Sequence, residues 1–495
     1  MLKGELYLEI MHFKSLEELL ENRIFYHFNQ ICQIPHQSFK EKELSDFLLG
    51  WAKSLGLNAV QDKHYNIIIK KPASSGYEGI KPVILQAHID MVCEKDPEVD
   101  HDFSKDPIPL ELDGDILSTR KKTTLGADNG LGVAMAMAIL ESNSIEHPPI
   151  EVLFTTAEEE DLSGALSVDP SWFSTNRLIN LDHSVEDEVI AGSCGGVGVK
   201  FILPVEFTTF PKEFKAFKVS LYGLTGGHSG EDIHKGRGNA NVLLARLLHE
   251  YKSQFNFLIG DICGGNFRLA IPREAYATII IDPKDIDKLE DTTNSVKNYL
   301  YHEYLQAEPN FKIELQETTF ESKAITESGV SNIINAIILS PNGIQEMNGN
   351  INVVESSCNL GELYTLDDCI NFVYEIRAAK DSSCEYIFKK IDIISKLLGG
   401  TTSQFAKYPG WAYRPDSELR YITQKIYKDI FGKEMKSLVV HCGLECGCFN
   451  PKINNLDAIS IGPNHWALHS PSESASVSSI NRVFMLLCEI LKNLK

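Results

Sequence analysis

Apolar positions along the first third of the chain follow two periods. Residues 15–34 and 41–55 recur at helical spacing and predict two amphipathic helices, with a Pro-containing turn between them. Residues 66–70, 83–87, 150–155 and 178–181 are short apolar runs, which predict buried strands. The Ala- and Met-rich run 131–140 is apolar all round and predicts a buried helix. Short strands separated by helices predict an α/β sheet with both faces covered.

The pattern changes near Gly195-Gly196. From there to about Tyr408, strands at 217–222, 255–262 and 276–281 alternate with helices at 242–251 and 294–306. A second set follows: a helix at 330–339, strands at 352–363 and 369–378, and a helix at 384–398. This reads as two α+β sub-units in tandem, without a repeated sequence. Beyond Tyr408-Pro409-Gly410 the α/β character returns, with a strand at 458–461 and a helix at 480–494. The predicted organisation is therefore a discontinuous catalytic domain, residues 1–195 and 409–495, with a mostly parallel central sheet. An α+β lid domain, residues 196–408, is inserted into it.

Composition narrows the function. The chain has 495 residues and is 43% hydrophobic, enough for two cored domains. Its formal net charge of -21 repels phosphate backbones and anionic headgroups, so no nucleic-acid or membrane partner is expected. Glu5, Glu9, Glu17 and Glu18 interrupt the N-terminal apolar runs, so no signal-peptide core is expected. The 11 cysteines lack a framework spacing and read as reduced thiols of a cytoplasmic protein. Cys442, Cys446 and Cys448 sit in a Gly-rich turn and read as packing residues rather than zinc ligands.

Charged groups cluster after the apolar strands. His88 and Asp90 follow the first, and Asp128 lies in Leu125-Gly126-Ala127-Asp128-Asn129-Gly130. Glu158, Glu159 and Glu160 follow another strand, Asp182 and His183 a fourth, and His469 lies beyond a fifth. Singly, they read as a hydrogen-bonded His-Asp pair, a tight Asp-Asn-Gly turn and a solvated acidic turn. Together, on different strands, they are what a two-cation hydrolase needs: imidazole suits zinc, and a bridging carboxylate holds two ions ~3.5–4 Å apart.

These residues also carry a resemblance. The stretches 85–92, 101–103, 124–130, Gly226-Gly227-His228-Ser229-Gly230, 270–274, Gly443-Leu444-Glu445-Cys446-Gly447 and His469-Ser470-Pro471 occur in order over nearly the whole chain. They resemble the aminoacyl-histidine dipeptidase family within the M20 metallopeptidases. The resemblance implies two divalent ions per chain, Zn2+ foremost, with Mn2+ or Co2+ as alternatives. It implies that His88, Asp128 and Asp182 hold one ion and Asp128, Glu159 and His469 the other. Asp90 would accept from the distal ring nitrogen of His88. Glu158, in the register set by Gly164-Ala165, would be the general base acting on a metal-activated water. A cis peptide between Asp128 and Asn129 is implied as well.

In the lid, the resemblance makes His228 a donor to the substrate carbonyl or oxyanion, in its own chain or across a dimer. Arg377 becomes a clamp for the substrate carboxylate, an exposed ion pair being the alternative. Gly443 would offer a backbone contact. The implied activity is hydrolysis of unblocked dipeptides, including Xaa-His and β-alanyl-histidine, by a cytoplasmic homodimer joined through the lid. Three alternatives stay open: an M20-type aminopeptidase or tripeptidase, an N-acyl amino acid hydrolase, and an inactive peptide- or metal-binding relative. The chain departs from the family at Leu269, where relatives carry Asn, a polar substrate contact, so either substrate preference shifts toward apolar residues or the contact is dispensable. It departs again at 464–468, where His465 becomes a rival ligand to His469. His183 is a further unmatched histidine, expected beside the ligands or exposed.

Overall fold

A computed structural model describes residues 13–495. The reading of the first twelve residues as lacking a leader core lies outside the described residues. The chain forms two compact units. The first comprises the chain up to Ser193 together with Trp411–Val439 and Leu444–Lys495; the second comprises Cys194–Gly410 and Val440–Gly443. The tetrapeptide 440–443, read above as part of the catalytic domain, returns to the second unit. The reason is local: the Cys194 N–H donates to the Cys442 carbonyl at 3.1 Å, and a Cβ on Gly443 would stand 2.7 Å from the Tyr408 ring.

The first unit is built on an eight-stranded mixed sheet. Its centre is parallel: Ile150–Thr155, Val83–His88, Arg177–Asn180 and Asp457–Ser460 lie side by side in that order. All four are buried along their whole length, as expected of strands covered on both faces. Ile67–Lys71 and Asn58–Gln61 extend one edge antiparallel, and Glu188–Ser193 pairs antiparallel on the other side. Because the four central strands run the same way, their carboxyl ends open onto one rim.

The expected helix over 15–34 is two helices. Ser15 caps Leu16–Leu19, and the Asn22 side chain accepts from the Ile24 N–H at 3.0 Å to start Arg23–Cys32. The new helix turns Ile24, Phe25, Phe28 and Ile31 inward against Ala127–Glu141. That second helix is buried almost throughout, and its first turn departs from helical geometry at Asp128 and Asn129, whose peptide bond is cis. Gly132 lets the chain after Asn180 come close, since a Cβ there would stand 2.8 Å from the Leu181 carbonyl oxygen.

The second unit contains a continuous path of eight antiparallel strands with helices packed on it. Its two sub-units are nested rather than tandem. The first is Lys215–Tyr222, Ala240–Gln254, Leu258–Asn266, Ala275–Ile281, Ile286–Tyr304 and Lys312–Thr318. The second begins before it, with Gly195–Pro204, and resumes after it with Glu327–Leu339, Val353–Leu366, Cys369–Ala378, Asp381–Leu397 and Thr401–Tyr408. Each is strand-helix-strand-strand-helix-strand. In each, the sheet order is fourth, first, third, second. The two second strands pair with each other, Cys263 opposite Tyr364, which joins the halves edge to edge. The opening strand was missed because its glycines, 195, 196 and 198, dilute the apolar alternation.

Candidate metal centre

The rim of the first unit gathers the predicted ligands. His88 ends its strand, and Asp182 lies two residues beyond Asn180. Glu158 and Glu159 open the short helix that follows Ile150–Thr155. Asp128 enters from the buried helix, and His469 from the loop between His465–Trp466 and Ser474–Ser476. Donor atoms of His88, Asp128 and Glu159 all lie within 4.8 Å of one another. His88 Nε2 stands 3.1 Å from Asp128 Oδ1 and 3.4 Å from Asp182 Oδ1. His469 Nε2 stands 3.0 Å from Glu159 Oε2 and 3.5 Å from Asp128 Oδ2. Asp128 thus faces one histidine with each oxygen.

The electrostatics are those of two imidazoles packed among buried carboxylates. Burial works against charge on His88, yet Asp182, Asp128 and Asp90 outweigh it and hold the imidazole well above its usual range. Hydrogen bonds to Asp128 and Glu159 raise His469 to about 10. Burial, opposed by His88 and reinforced by the neighbouring carboxylates, pushes Glu158 and Asp182 well above the ordinary carboxyl range. Asp128 runs the other way: burial would raise it, but His469 and His88 hold it well below. Glu159 Oε1 is buried with no hydrogen-bond partner. A donor set of imidazole and carboxylate, with an orphaned buried oxygen, fits divalent ions of the zinc, manganese and cobalt type.

Buried carboxylates hold the ligand loops. Asp90 reaches His88 Nδ1 at 3.3 Å with its carboxylate, but the nearer acceptor is its own main-chain carbonyl at 3.0 Å. The carboxylate itself accepts the Glu158 and Glu159 N–H groups and the Ser38 hydroxyl. Glu41 accepts from the Ala157 N–H at 2.9 Å. Glu445, fully buried, accepts from the side chains of Gln86 and Thr155, and Gln86 in turn accepts from Asn180 at 2.7 Å. That network ties together the three strands that precede His88, Glu158 and Asp182. Glu473 accepts from the main chain at 125–128. Glu41 and Glu473 did not emerge from the sequence, since an isolated Glu carries no periodic signal. Glu445 stood inside a matched motif without an assigned role.

Glu160 is exposed, which leaves Glu158 and Glu159 as the inward members of the acidic run. His465 is buried with Nδ1 at 3.0 Å from the Pro463 carbonyl, and no bond joins it to a site carboxylate. His183 lies 3.4 Å from Glu188 instead of among the ligands. Cys446 and Cys448 are buried in the helix Glu445–Phe449, where burial raises both thiols.

The second unit carries its own polar cluster. Arg377 is 2% exposed, so the exposed ion pair is overturned. Its guanidinium reaches the Tyr408 hydroxyl at 2.9 Å, Ser229 Oγ at 3.4 Å and His228 Nε2 at 3.3 Å. The Glu231 N–H donates to His228 Nδ1 at 3.1 Å, which puts the ring proton on Nε2, so the Arg377 guanidinium 3.3 Å away is a neighbouring donor and not a hydrogen-bond partner of that ring. Burial and the Arg377 charge lower His228 to about 4, so the ring is neutral at pH 7. His228 Nε2–H and the Arg377 N–H groups form a converging set of donors within one chain. Leu269, at the departure from the family pattern, accepts from the Ser229 N–H through its main-chain oxygen at 2.8 Å.

A rim of imidazole and carboxylate beside the inward-facing Glu158 defines a metal-dependent hydrolase. The family model described as a peptidase dimerisation domain matches residues 219–308, inside the first sub-unit of the second unit. The cytosol non-specific dipeptidase of Escherichia coli (strain K12) is 37% identical over 482 residues, 97% of this chain and 99% of that protein. The crystal structure of aminoacylhistidine dipeptidase from Vibrio alginolyticus superposes with a TM-score of 0.90 at 34% identity, covering 99% of this chain and 98% of that one. An aminopeptidase from Bacillus cereus shares the fold at a TM-score of 0.60 and 15% identity, covering 95% of this chain and 98% of that one. The chain belongs to the family of the cytosol non-specific and aminoacylhistidine dipeptidases, among the M20 metallopeptidases.

Proposed function

We propose that this chain hydrolyses unblocked dipeptides, Xaa-His and β-alanyl-histidine among them, at a two-metal centre. Supporting the reading is one observation above all: the donor atoms of His88, Asp128 and Glu159 converge within 4.8 Å, with Asp182 and His469 in contact with them. His88, Asp128 and Asp182 would hold one ion, and Asp128, Glu159 and His469 the other. Two divalent ions held there, Zn2+ foremost and Mn2+ or Co2+ as substitutes, would supply Lewis-acid chemistry: a lowered pKa for a water and polarisation of a carbonyl.

The rest is done by side chains. Glu158 takes the proton of the attacking water on a carboxylate oxygen and delivers it to the leaving amine nitrogen. Asp90 keeps Glu158 and Glu159 in place through their main-chain N–H groups. In the second unit, Arg377 grips the substrate's C-terminal carboxylate, for which its planar fork is matched. His228 Nε2–H donates to a substrate carbonyl oxygen, and Gly443 offers main-chain contact. The match to a peptidase dimerisation domain supports a homodimer formed through this unit. The name of the Escherichia coli relative supports a cytosolic location.

The test is a panel of free dipeptides, the same dipeptides N-acetylated, and tripeptides. Cleavage confined to free dipeptides supports the reading. Preference for tripeptides or for acylated substrates moves the chain to the aminopeptidase or acyl-hydrolase alternatives.

A further inference from the structure

Glu473 is 2% exposed and makes four hydrogen bonds to main-chain N–H groups. Oε2 accepts from Leu125 at 2.7 Å and Gly126 at 3.0 Å. Oε1 accepts from Ala127 at 2.9 Å and Asp128 at 3.3 Å. Four successive amides converge on one carboxylate because Gly126 has φ +70, which turns the chain into a concave nest. These amides belong to the start of Ala127–Glu141, whose N-cap, Gly126, has no side chain to satisfy them. The cap comes instead from the far end of the sequence.

Its placement links two ligands. Glu473 lies four residues after His469, and its own N–H donates to the Ser470 carbonyl at 3.0 Å, closing the loop that carries His469. Directly after it, Ser474–Ser476 pairs with Ile116–Ser118 on one side and with His465–Trp466 on the other. One carboxylate thus ties the main chain of Asp128 to a segment anchored in a sheet and carrying His469. The Asp128 side chain meets His88 at 3.1 Å and His469 at 3.5 Å, while its main chain is held by Glu473.

We propose that Glu473 is a positioning residue for the metal centre: by clamping the amides of residues 125–128 it sets the Asp128 carboxylate between His88 and His469, so that uptake of both ions depends on it. The inference rests on the reading of Asp128 as the shared ligand. In Glu473→Gln one oxygen becomes an NH2 group, which faces two N–H donors and can accept from neither. Glu473→Asp keeps the charge and both oxygens with a shorter reach.

The test is a Co2+ titration of full-length, chelator-stripped protein, followed by calorimetry and by the visible absorption of the bound ion. Wild type, Glu473→Gln and Glu473→Asp are compared, with circular dichroism and a thermal melt of the metal-free proteins. The expected result is a fall of about 10- to 100-fold in affinity at both sites for Glu473→Gln, the size usual for lost ligand-orienting bonds. A changed Co2+ spectrum and a partial return in Glu473→Asp accompany it, and kcat falls more than KM rises at saturating metal. Wild-type affinity and spectrum in Glu473→Gln overturn the proposal even if the variant melts earlier, because Glu473 would then be only a helix cap. Amide exchange in the wild type tests the clamp without any variant: slow exchange at residues 125–128 in the metal-free protein supports it, and exchange as fast as in exposed loops overturns it. Wild-type protein that binds no Co2+ overturns the metal-centre reading itself, a failure distinct from that of the clamp.

Discussion

The Asp90 carboxylate accepts the main-chain N–H of Glu158 at 3.0 Å, while its own main-chain carbonyl stands 3.0 Å from Nδ1 of His88. One residue therefore orients both a proposed ligand and the proposed base. Asp90→Asn puts an NH2 group opposite one of these N–H donors or opposite Ser38. We expect a fall of about 10- to 100-fold in metal affinity or kcat. Metal titration together with steady-state kinetics checks it, and unchanged values in both contradict the role.

Glu158→Gln separates binding from chemistry. The amide cannot take a proton from water, so kcat should fall by about 10²- to 10⁴-fold. Metal content should stay at the wild-type level, because Glu158 is not among the proposed ligands. Metal analysis beside kcat decides; loss of metal would make Glu158 a ligand instead.

Metal uptake should release protons. His469, raised to about 10, and His88, held well above its usual range, both carry a proton at neutral pH in the metal-free chain. Each must lose it to bind an ion, so affinity should rise with pH through the neutral range. Calorimetry in buffers of different ionisation heat measures the release, and no release at pH 7 contradicts it. The metal-free fold follows the same sign. A histidine raised from 6.5 to about 10 contributes stability that is complete below pH 6.5 and lost as pH rises through 10.

Arg377→Lys keeps the charge and loses the fork. Tyr408, Ser229 and His228 cannot all be reached by one ammonium. KM for free dipeptides should rise about tenfold or more, with less change in kcat, and C-terminally amidated substrates should respond less. An equal loss on both substrate types contradicts a carboxylate clamp.

Much of this was legible in the chain because it is local. The strand Val83–His88 announces itself by a nearly unbroken apolar run, and the charged residues at or just past the ends of three such runs had to share a rim once the strands were parallel. What stayed hidden is non-local. Glu473 meets residues 125–128 across more than 340 positions, and nothing near Glu473 in sequence records the pairing. The nesting of the sub-units was hidden because Gly195–Pro204 closes its sub-unit only through pairing with Cys369–Ala378 and Thr401–Tyr408. The break in the first helix was written in Asn22, but Asn reads as a cap only once its side chain is seen to turn back on the Ile24 N–H.

Hydrolysis of free dipeptides, β-alanyl-histidine included, by chelator-stripped protein before and after adding zinc tests the central claim most directly. Cleavage that is absent from the stripped protein and returns with about two ions per chain is the predicted result. Cleavage that persists without metal, or two bound ions with no dipeptide cleaved, would contradict it.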